Sequence, residues 1–230
     1  ALNSAEDTLY VTDIGNKSIF SVSISTGARV VISSASIGSG AGLLFDSSIY
    51  LNSAEDFIYT ADGFAKTLVK VSISTGNRTI ISSNSLGTGN NFIFPEGVFL
   101  DSTETFAYVT DNSLNAIVKV DLASGNRTIA SSGSVGTGTS FATPSNIIVN
   151  STDDFAYVSD NNLLSLFKVD LTTGDRTIIS DSSAGSGTNF NFPYGISLDE
   201  ASDIVYVVDN SLKALVQVNL STGDRVILSQ

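Results

Sequence analysis

The chain contains no cysteine, histidine, methionine or tryptophan among its 230 residues. Without cysteine there is no disulfide framework and no thiolate nucleophile, and without cysteine and histidine together there is no Cys/His zinc site. Without histidine the usual general base near neutral pH is missing, so catalysis of any kind would fall to carboxylates, serine, tyrosine, lysine or a bound metal. Positive charge is also scarce, with 11 Lys and Arg against 23 Asp and Glu and a net charge of −12. Nucleic acids and anionic membrane surfaces are held by clustered Lys and Arg, so neither is an expected partner. The excess negative charge solvates the surface and attracts cations, calcium included. Apolar runs are only a few residues long, far short of the roughly 20 that cross a bilayer as a helix, and no signal-peptide pattern is present. The sequence starts at Ala1, which fits a processed export product or an excised fragment. The absence of cysteine, with an acidic surface rich in Ser, Thr and Asn, points to an exported bacterial protein, extracellular or periplasmic.

The chain does carry a repeat of 49 residues. Tyr10, Tyr59, Tyr108, Tyr157 and Tyr206 keep that step, as do Asp13, Asp62, Asp111, Asp160 and Asp209, and Gly27, Gly76, Gly125, Gly174 and Gly223. In the third copy, Val98-Phe99-Leu100 is short and apolar, and Phe106–Thr110 is aromatic and β-branched. Val118, Val120 and Leu122 then alternate with Lys119 and Asp121. This period of two recurs at Phe20/Val22/Ile24, Val69/Val71/Ile73, Phe167/Val169/Leu171 and Val216/Val218/Leu220 and excludes helix. Each alternating strand ends in a Ser-Thr-Gly-Asn-Arg type turn, whose Gly supplies positive φ, and a fourth strand follows.

Four antiparallel strands per copy, in tandem, predict an all-β fold: a β-propeller of five four-stranded blades. The first copy lacks most of its innermost strand, with Ala1-Leu2 as its stub, so 19 strands are expected. The repeats run over about 1–50, 51–99, 100–148, 149–197 and 198–230, within one domain covering 1–230. Two readings of the short first copy stay open: a five-bladed ring that closes imperfectly, or part of a six-bladed or larger ring. An incomplete blade exposes a strand edge and invites self-association. Between blades run Gly/Ser/Asn-rich links, each with a Gly-Ser/Thr-Gly. These lead from strand to strand with no helix to receive a phosphate and are read as structural. Leu43, Phe92, Phe141 and Phe190 are expected to anchor the links, and Pro95, Pro144 and Pro193 to mark the start of innermost strands.

Phe192-Pro193-Tyr194-Gly195-Ile196-Ser197-Leu198-Asp199 and Phe94-Pro95-Glu96-Gly97-Val98-Phe99-Leu100-Asp101, followed by Tyr-Val-x-Asp and Val-Asp-Leu-x-Thr-Gly, resemble the repeats of the NHL, YncE-like and gluconolactonase-type propellers. The resemblance covers nearly the whole chain. It implies a propeller fold, commonly of six or seven blades, and functions ranging from scaffolds and receptors to hydrolases. The enzymatic branch holds calcium through Glu, Asn and Asp. Glu96 precedes a Gly as in that pattern, although its copy lacks the rest of the motif, and Glu96 and Asn146 are the candidate calcium ligands.

The Tyr-x-x-Asp aspartates recur in every copy, which suits Asx-type loop caps, with a cation-holding carboxylate ring as the alternative. Positions that differ between copies are better able to shape a single site. At the mouth of the channel these are Asp46, Ser47, Glu96, Ser145, Asn146 and Tyr194. Phe64, Leu114, Leu163, Leu164 and Leu212 lie in second-to-third loops, where they either cap the blade core or form a docking patch. The opposite turns gather acids beside Arg29, Arg78, Arg127, Arg176 and Arg225, expected as solvated pairs worth little each. The expected function is a non-catalytic exported binding, scaffold or assembly module acting through the link-loop face on a protein, small-molecule or glycan ligand. The alternatives are a calcium-dependent lactonase or esterase-type hydrolase at the channel mouth and a sugar-binding propeller.

Overall fold

The structure, a computed structural model, describes residues 1–44 and 46–230, with the side chains of 46 and 47 left aside. It is an all-β propeller of five blades. The first blade is β1 (Thr8–Asp13), β2 (Ser18–Ser23) and β3 (Arg29–Ser33), and the second is β4 (Asp46–Leu51), β5 (Phe57–Asp62), β6 (Thr67–Ser72) and β7 (Arg78–Ser83). The third is β8 (Pro95–Leu100), β9 (Phe106–Asp111), β10 (Ala116–Asp121) and β11 (Arg127–Ser131). The fourth is β12 (Pro144–Val149), β13 (Phe155–Asp160), β14 (Ser165–Asp170) and β15 (Arg176–Ser180), and the fifth is β16 (Pro193–Asp199), β17 (Ile204–Asp209), β18 (Ala214–Asn219) and β19 (Arg225–Ser229). Strands pair in sequence order within sheets of three, four, four, four and four, giving the 19 strands the repeat predicts. The stub of the first blade pairs as well: Leu2 bridges Leu9, and the Ala1 ammonium donates to the Tyr10 carbonyl at 2.9 Å. Each proline sits at the first residue of an innermost strand, where a missing N–H costs no ladder bond.

The chain forms two compact units, Ala1–Val109 with Val120–Arg127 and Thr110–Lys119 with Thr128–Gln230. In the first, Ile19, Leu43, Ile58, Val69 and Val71 make a buried cluster. In the second, Tyr157, Leu166, Phe190, Val205, Val207, Ala214, Val216 and Val218 do the same. The alternating valines thus face inward. The predicted link anchors are all buried, with Leu43 5%, Phe92 1%, Phe141 3% and Phe190 3% exposed.

The expectation that the arginines are solvated partners of nearby acids is corrected for four of the five, Arg29 alone being exposed. Arg78, Arg127, Arg176 and Arg225 are only 8%, 3%, 5% and 5% exposed. Each clamps the link that arrives from the preceding blade. Arg176 Nε donates to the Thr139 carbonyl at 2.9 Å, and Nη1 to Ser131 Oγ and the Val135 carbonyl, both at 2.8 Å. Arg127 repeats this on Asn90 (2.6 Å), Ser82 (2.6 Å) and Leu86 (2.9 Å). The guanidinium also lies over the link anchor, with Arg127 5.3 Å from the Phe92 ring and Arg176 5.6 Å from Phe141. Burial lowers the pKa of Arg127, Arg176 and Arg225 from the ordinary value. The acids meanwhile take backbone N–H groups: the Glu200 carboxylate accepts from the Ser151 amide at 3.0 Å, and Glu55 and Glu104 do likewise for Ser4 and Ser53. Strand direction alone assigns the links and the Arg turns to opposite faces. The right-handed twist of each blade swings its outer strands round, so that the link meets the turn.

The residue before each Arg adds a second tie. Asn77 and Asn126 accept the amides of Ser39 and Thr88, both at 2.8 Å, and Asp175 and Asp224 accept those of Thr137 (2.6 Å) and Ser186 (2.7 Å). The Thr137 hydroxyl and then its amide hold the Asp175 carboxyl below its ordinary pKa of 3.8, and the Ser186 hydroxyl and amide do the same for Asp224. A depressed carboxyl contributes stability above its unfolded pKa and loses it as pH falls through the folded one. Acidification below about pH 4 should therefore loosen the Asp-tied links and leave the Asn-tied ones. Hydrogen exchange of the Thr137 and Ser186 amides should accelerate, relative to those of Ser39 and Thr88, between pH 5 and about pH 3. Equal change at all four would refute the assignment.

Candidate functional site

The repeating aspartates are loop caps. Asp62, Asp111, Asp160 and Asp209 are fully buried. Asp160 accepts the amides of Ala142 (2.8 Å) and Thr143 (3.0 Å) from the preceding link, and that of Leu163 (2.9 Å) from its own loop. Asp209 accepts those of Asn191 (2.7 Å) and Leu212 (2.9 Å). One carboxylate thereby fastens the second-to-third loop to the link on the same face, and its lone pairs are directed at N–H groups. Among the described residues no group of three or more His, Cys, Asp or Glu could hold a metal ion.

The residues that vary between blades sit on the innermost strands. The side chains of Asp46 and Ser47 lie outside the described residues. In the first unit, Glu96 is 5% exposed on β8. In the second, Ser145 is fully buried on β12, with its hydroxyl donating to the Thr143 carbonyl at 3.3 Å and its carbonyl accepting from Thr110 Oγ1 at 2.8 Å. Asn146 is half-buried, and its Oδ1 accepts the Ile147 amide at 3.0 Å. Tyr194 is half-buried, its ring stacked on Phe192 with centroids 6.3 Å apart and its carbonyl held by Ser159 Oγ at 2.6 Å. The register slips between Pro144 and Asn146 and again between Pro193 and Ile196. These bulges re-aim the strand where the sequence departs from its own repeat. The loop residues divide. Leu212 packs on the fifth-blade core and Leu114 is half-buried, whereas Leu163 and Leu164 are 37% and 36% exposed and Phe64 is 64% exposed with its edge against Phe94 at 5.6 Å.

A site absent from the sequence reading opens in the second blade. A groove of about 550 Å³ lies between the incoming link (Ala41, Leu44), the second-to-third loop with the start of β6 (Lys66, Thr67), and β7 with the residue after it (Ile80, Asn84). Its walls are largely apolar, and Asn84 in its lining grips Phe92 both ways, accepting its amide at 2.8 Å and donating to its carbonyl at 3.1 Å. Thr67 is 6% exposed, yet its hydroxyl has no hydrogen-bond partner among the described residues. Such a group is expensive to bury unless something occupies it. Lys66 stands beside it at φ 57°, exposed. Three repeats on, Lys213 and Ala214 line a smaller groove of about 300 Å³ that lacks the hydroxyl. Ser18 and Ser165 hold the Thr67 position in two other blades, also buried and unpartnered, while Ala116 and Ala214 fill the rest. A hydroxyl that only some blades carry is not demanded by the fold. That variation was the signal available in the sequence.

No protein-family model matches the chain, and no curated protein matches it. Solved structures do. A nidogen in complex with laminin is 16% identical with a TM-score of 0.74, over 98% of this chain and 76% of that one. An auxiliary nutrient binding protein from Bacteroides ovatus is 14% identical with a TM-score of 0.70, over 99% of this chain and 56% of that one. A catalytically inactive virginiamycin B lyase from Staphylococcus aureus, carrying a histidine-to-alanine change and bound to quinupristin, is 15% identical with a TM-score of 0.66, over 100% of this chain and 68% of that one. The chain thus spans little more than half the length of the nutrient binding protein. These likenesses establish the propeller fold.

Proposed function

We propose that this chain is a non-catalytic, exported binding propeller that takes a small hydroxylated ligand with one anionic group, an acidic sugar, in the groove of its second blade. The observation that carries this is an apolar-walled groove lined by Thr67, whose buried hydroxyl has no partner among the described residues, with Lys66 exposed beside it. Apolar walls with a few convergent polar groups are the usual form of a small-molecule site. Rotation of the Thr67 side chain toward the groove lets its hydroxyl donate to or accept from a ligand hydroxyl, and Lys66 can meet a carboxylate. The nutrient binding neighbour supports a binding role. The lyase neighbour is inactivated by loss of a histidine, a residue type this chain does not contain.

A panel of neutral and uronate-bearing glycans, titrated calorimetrically, tests the proposal. Glucuronate-terminated members should bind. Thr67→Val, which keeps shape and removes the hydroxyl, should weaken binding about tenfold, in line with one buried hydrogen bond of ~1–1.5 kcal/mol. Lys66→Gln should erase the preference for acidic over neutral members. Binding indifferent to both changes would defeat the proposal. So would lactone hydrolysis that needs calcium and is lost in Glu96→Gln, which would establish the hydrolase in its place.

A further inference from the structure

Among the described residues, four of the five third-to-fourth turns are covered by a link and one is not. Each covering link has the pattern Ser-x4-Gly-x-Gly: Ser33/Gly38/Gly40, Ser82/Gly87/Gly89, Ser131/Gly136/Gly138 and Ser180/Gly185/Gly187. The Ser hydroxyl donates to the turn glycine's carbonyl, at 2.7 Å on Gly76, Gly125 and Gly223 and 2.6 Å on Gly174. The amide of the following Arg donates to the residue between the two link glycines, at 2.7 to 2.9 Å in all four cases.

The first blade's turn, Ser25-Thr26-Gly27-Ala28-Arg29, is built in the same way. Gly27 has φ 68°, its amide donates to the Ser23 carbonyl at 2.8 Å, and the Ser23 amide donates to the Ala28 carbonyl at 2.9 Å. Gly76 makes the corresponding bond to Ser72 at 2.8 Å. Yet a Cβ on Gly27 would meet nothing within 4 Å, where one on Gly76 would strike the Ile32 carbonyl oxygen at 2.3 Å. Arg29 is exposed, and none of the clamp bonds form there among the described residues. The neighbouring Val30 is 60% exposed.

We infer that the Gly27–Arg29 turn is a docking surface for an extended partner peptide of the Ser-x4-Gly-x-Gly pattern, with the chemistry of the four links. The four links within the chain show what the surface accepts: a Ser hydroxyl for the Gly27 carbonyl, peptide carbonyls for the Arg29 guanidinium, and glycines where the two backbones touch. They also rule themselves out as occupants, since each is already clamped on the turn of the blade that follows it. One feature sets this turn apart. Ala28 stands where Asn77, Asn126, Asp175 and Asp224 accept the link's amide and hydroxyl. The joint at Arg29 therefore lacks those two bonds and is weaker than the four others. The inference is independent of the groove at Thr67.

The probe is a synthetic peptide with the sequence of residues 180–192, titrated into the whole chain and followed by calorimetry and backbone NMR. It should bind saturably, shift the Gly27–Val30 resonances, and lose binding in Arg29→Ala. Lys66→Gln should leave it unchanged. Ala28→Asn restores the missing acceptor and should tighten binding about fivefold or more, as expected for a hydrogen bond of ~1 kcal/mol. A peptide with valine in place of both glycines should not bind. Absence of saturable binding to wild type and Ala28→Asn, with both folded, would overturn the inference, as would binding that survives Arg29→Ala.

Discussion

Arg176→Ala should lower the unfolding free energy by about 3–5 kcal/mol, a large share of the roughly 5–15 kcal/mol typical of a folded domain. The side chain is 5% exposed and joins the Thr139 and Val135 carbonyls, Ser131 Oγ and the Gly174 carbonyl, the last at 3.1 Å. Truncation removes the donors and strands these acceptors in a buried joint, and stranded acceptors account for most of the cost. It also opens a void under the Phe141 ring. Arg176→Lys should recover little, because an ammonium cannot present the two nitrogens that bridge separate parts of the link. Arg29→Ala is the internal control. It is the same residue type on the same turn without a link, and should stay within about 0.5 kcal/mol of wild type. Urea melts of the three variants decide the matter. A loss below about 1 kcal/mol for Arg176→Ala would mean that the clamp is not what holds the link.

The contrast between Arg29 and Arg176 also marks the reach of sequence reading. Features repeated in register were legible. The valine alternation gives the strands, the prolines give the starts of β8, β12 and β16, and Leu43, Phe92, Phe141 and Phe190 give the anchors, because each is a local pattern with one physical outcome. The aspartates were legible for the same reason, since an Asp at a loop start, present in every blade, has backbone amides within reach. The arginine clamps were not. They are equally regular, but their partners lie 37 to 45 residues upstream, and only the twist of the blades brings link and turn together. The Thr67 groove was missed for a different reason. The variation among Ser18, Thr67, Ala116, Ser165 and Ala214 is visible in the sequence, but the lack of a partner for the hydroxyl belongs to the surroundings and not to the residue.

Glycine supplies the second large effect. Gly136→Ala should prevent folding or cost more than about 4 kcal/mol, the range reserved for severe backbone or packing damage. Gly136 has φ 78°, which an L side chain adopts at about 1–2 kcal/mol. Strain alone would be tolerable, but the added Cβ would lie 2.0 Å from the Gly174 carbonyl oxygen and 2.6 Å from the Asp175 amide nitrogen. Both are backbone atoms of the next blade's turn and cannot swing aside as a side chain could. Relief requires the link to lift, and lifting it breaks the Ser131–Gly174 bond and the Arg176 clamp together. Gly27→Ala separates the two costs. It has nearly the same φ, 68°, and open space around the new carbon, so it should lose only the conformational term of about 1–2 kcal/mol. If both variants lost the same amount, contact between link and turn would not be what makes Gly136 obligatory. If Gly27→Ala also blocked docking of the link peptide, the same close approach would be shown to operate at the turn that the chain leaves uncovered.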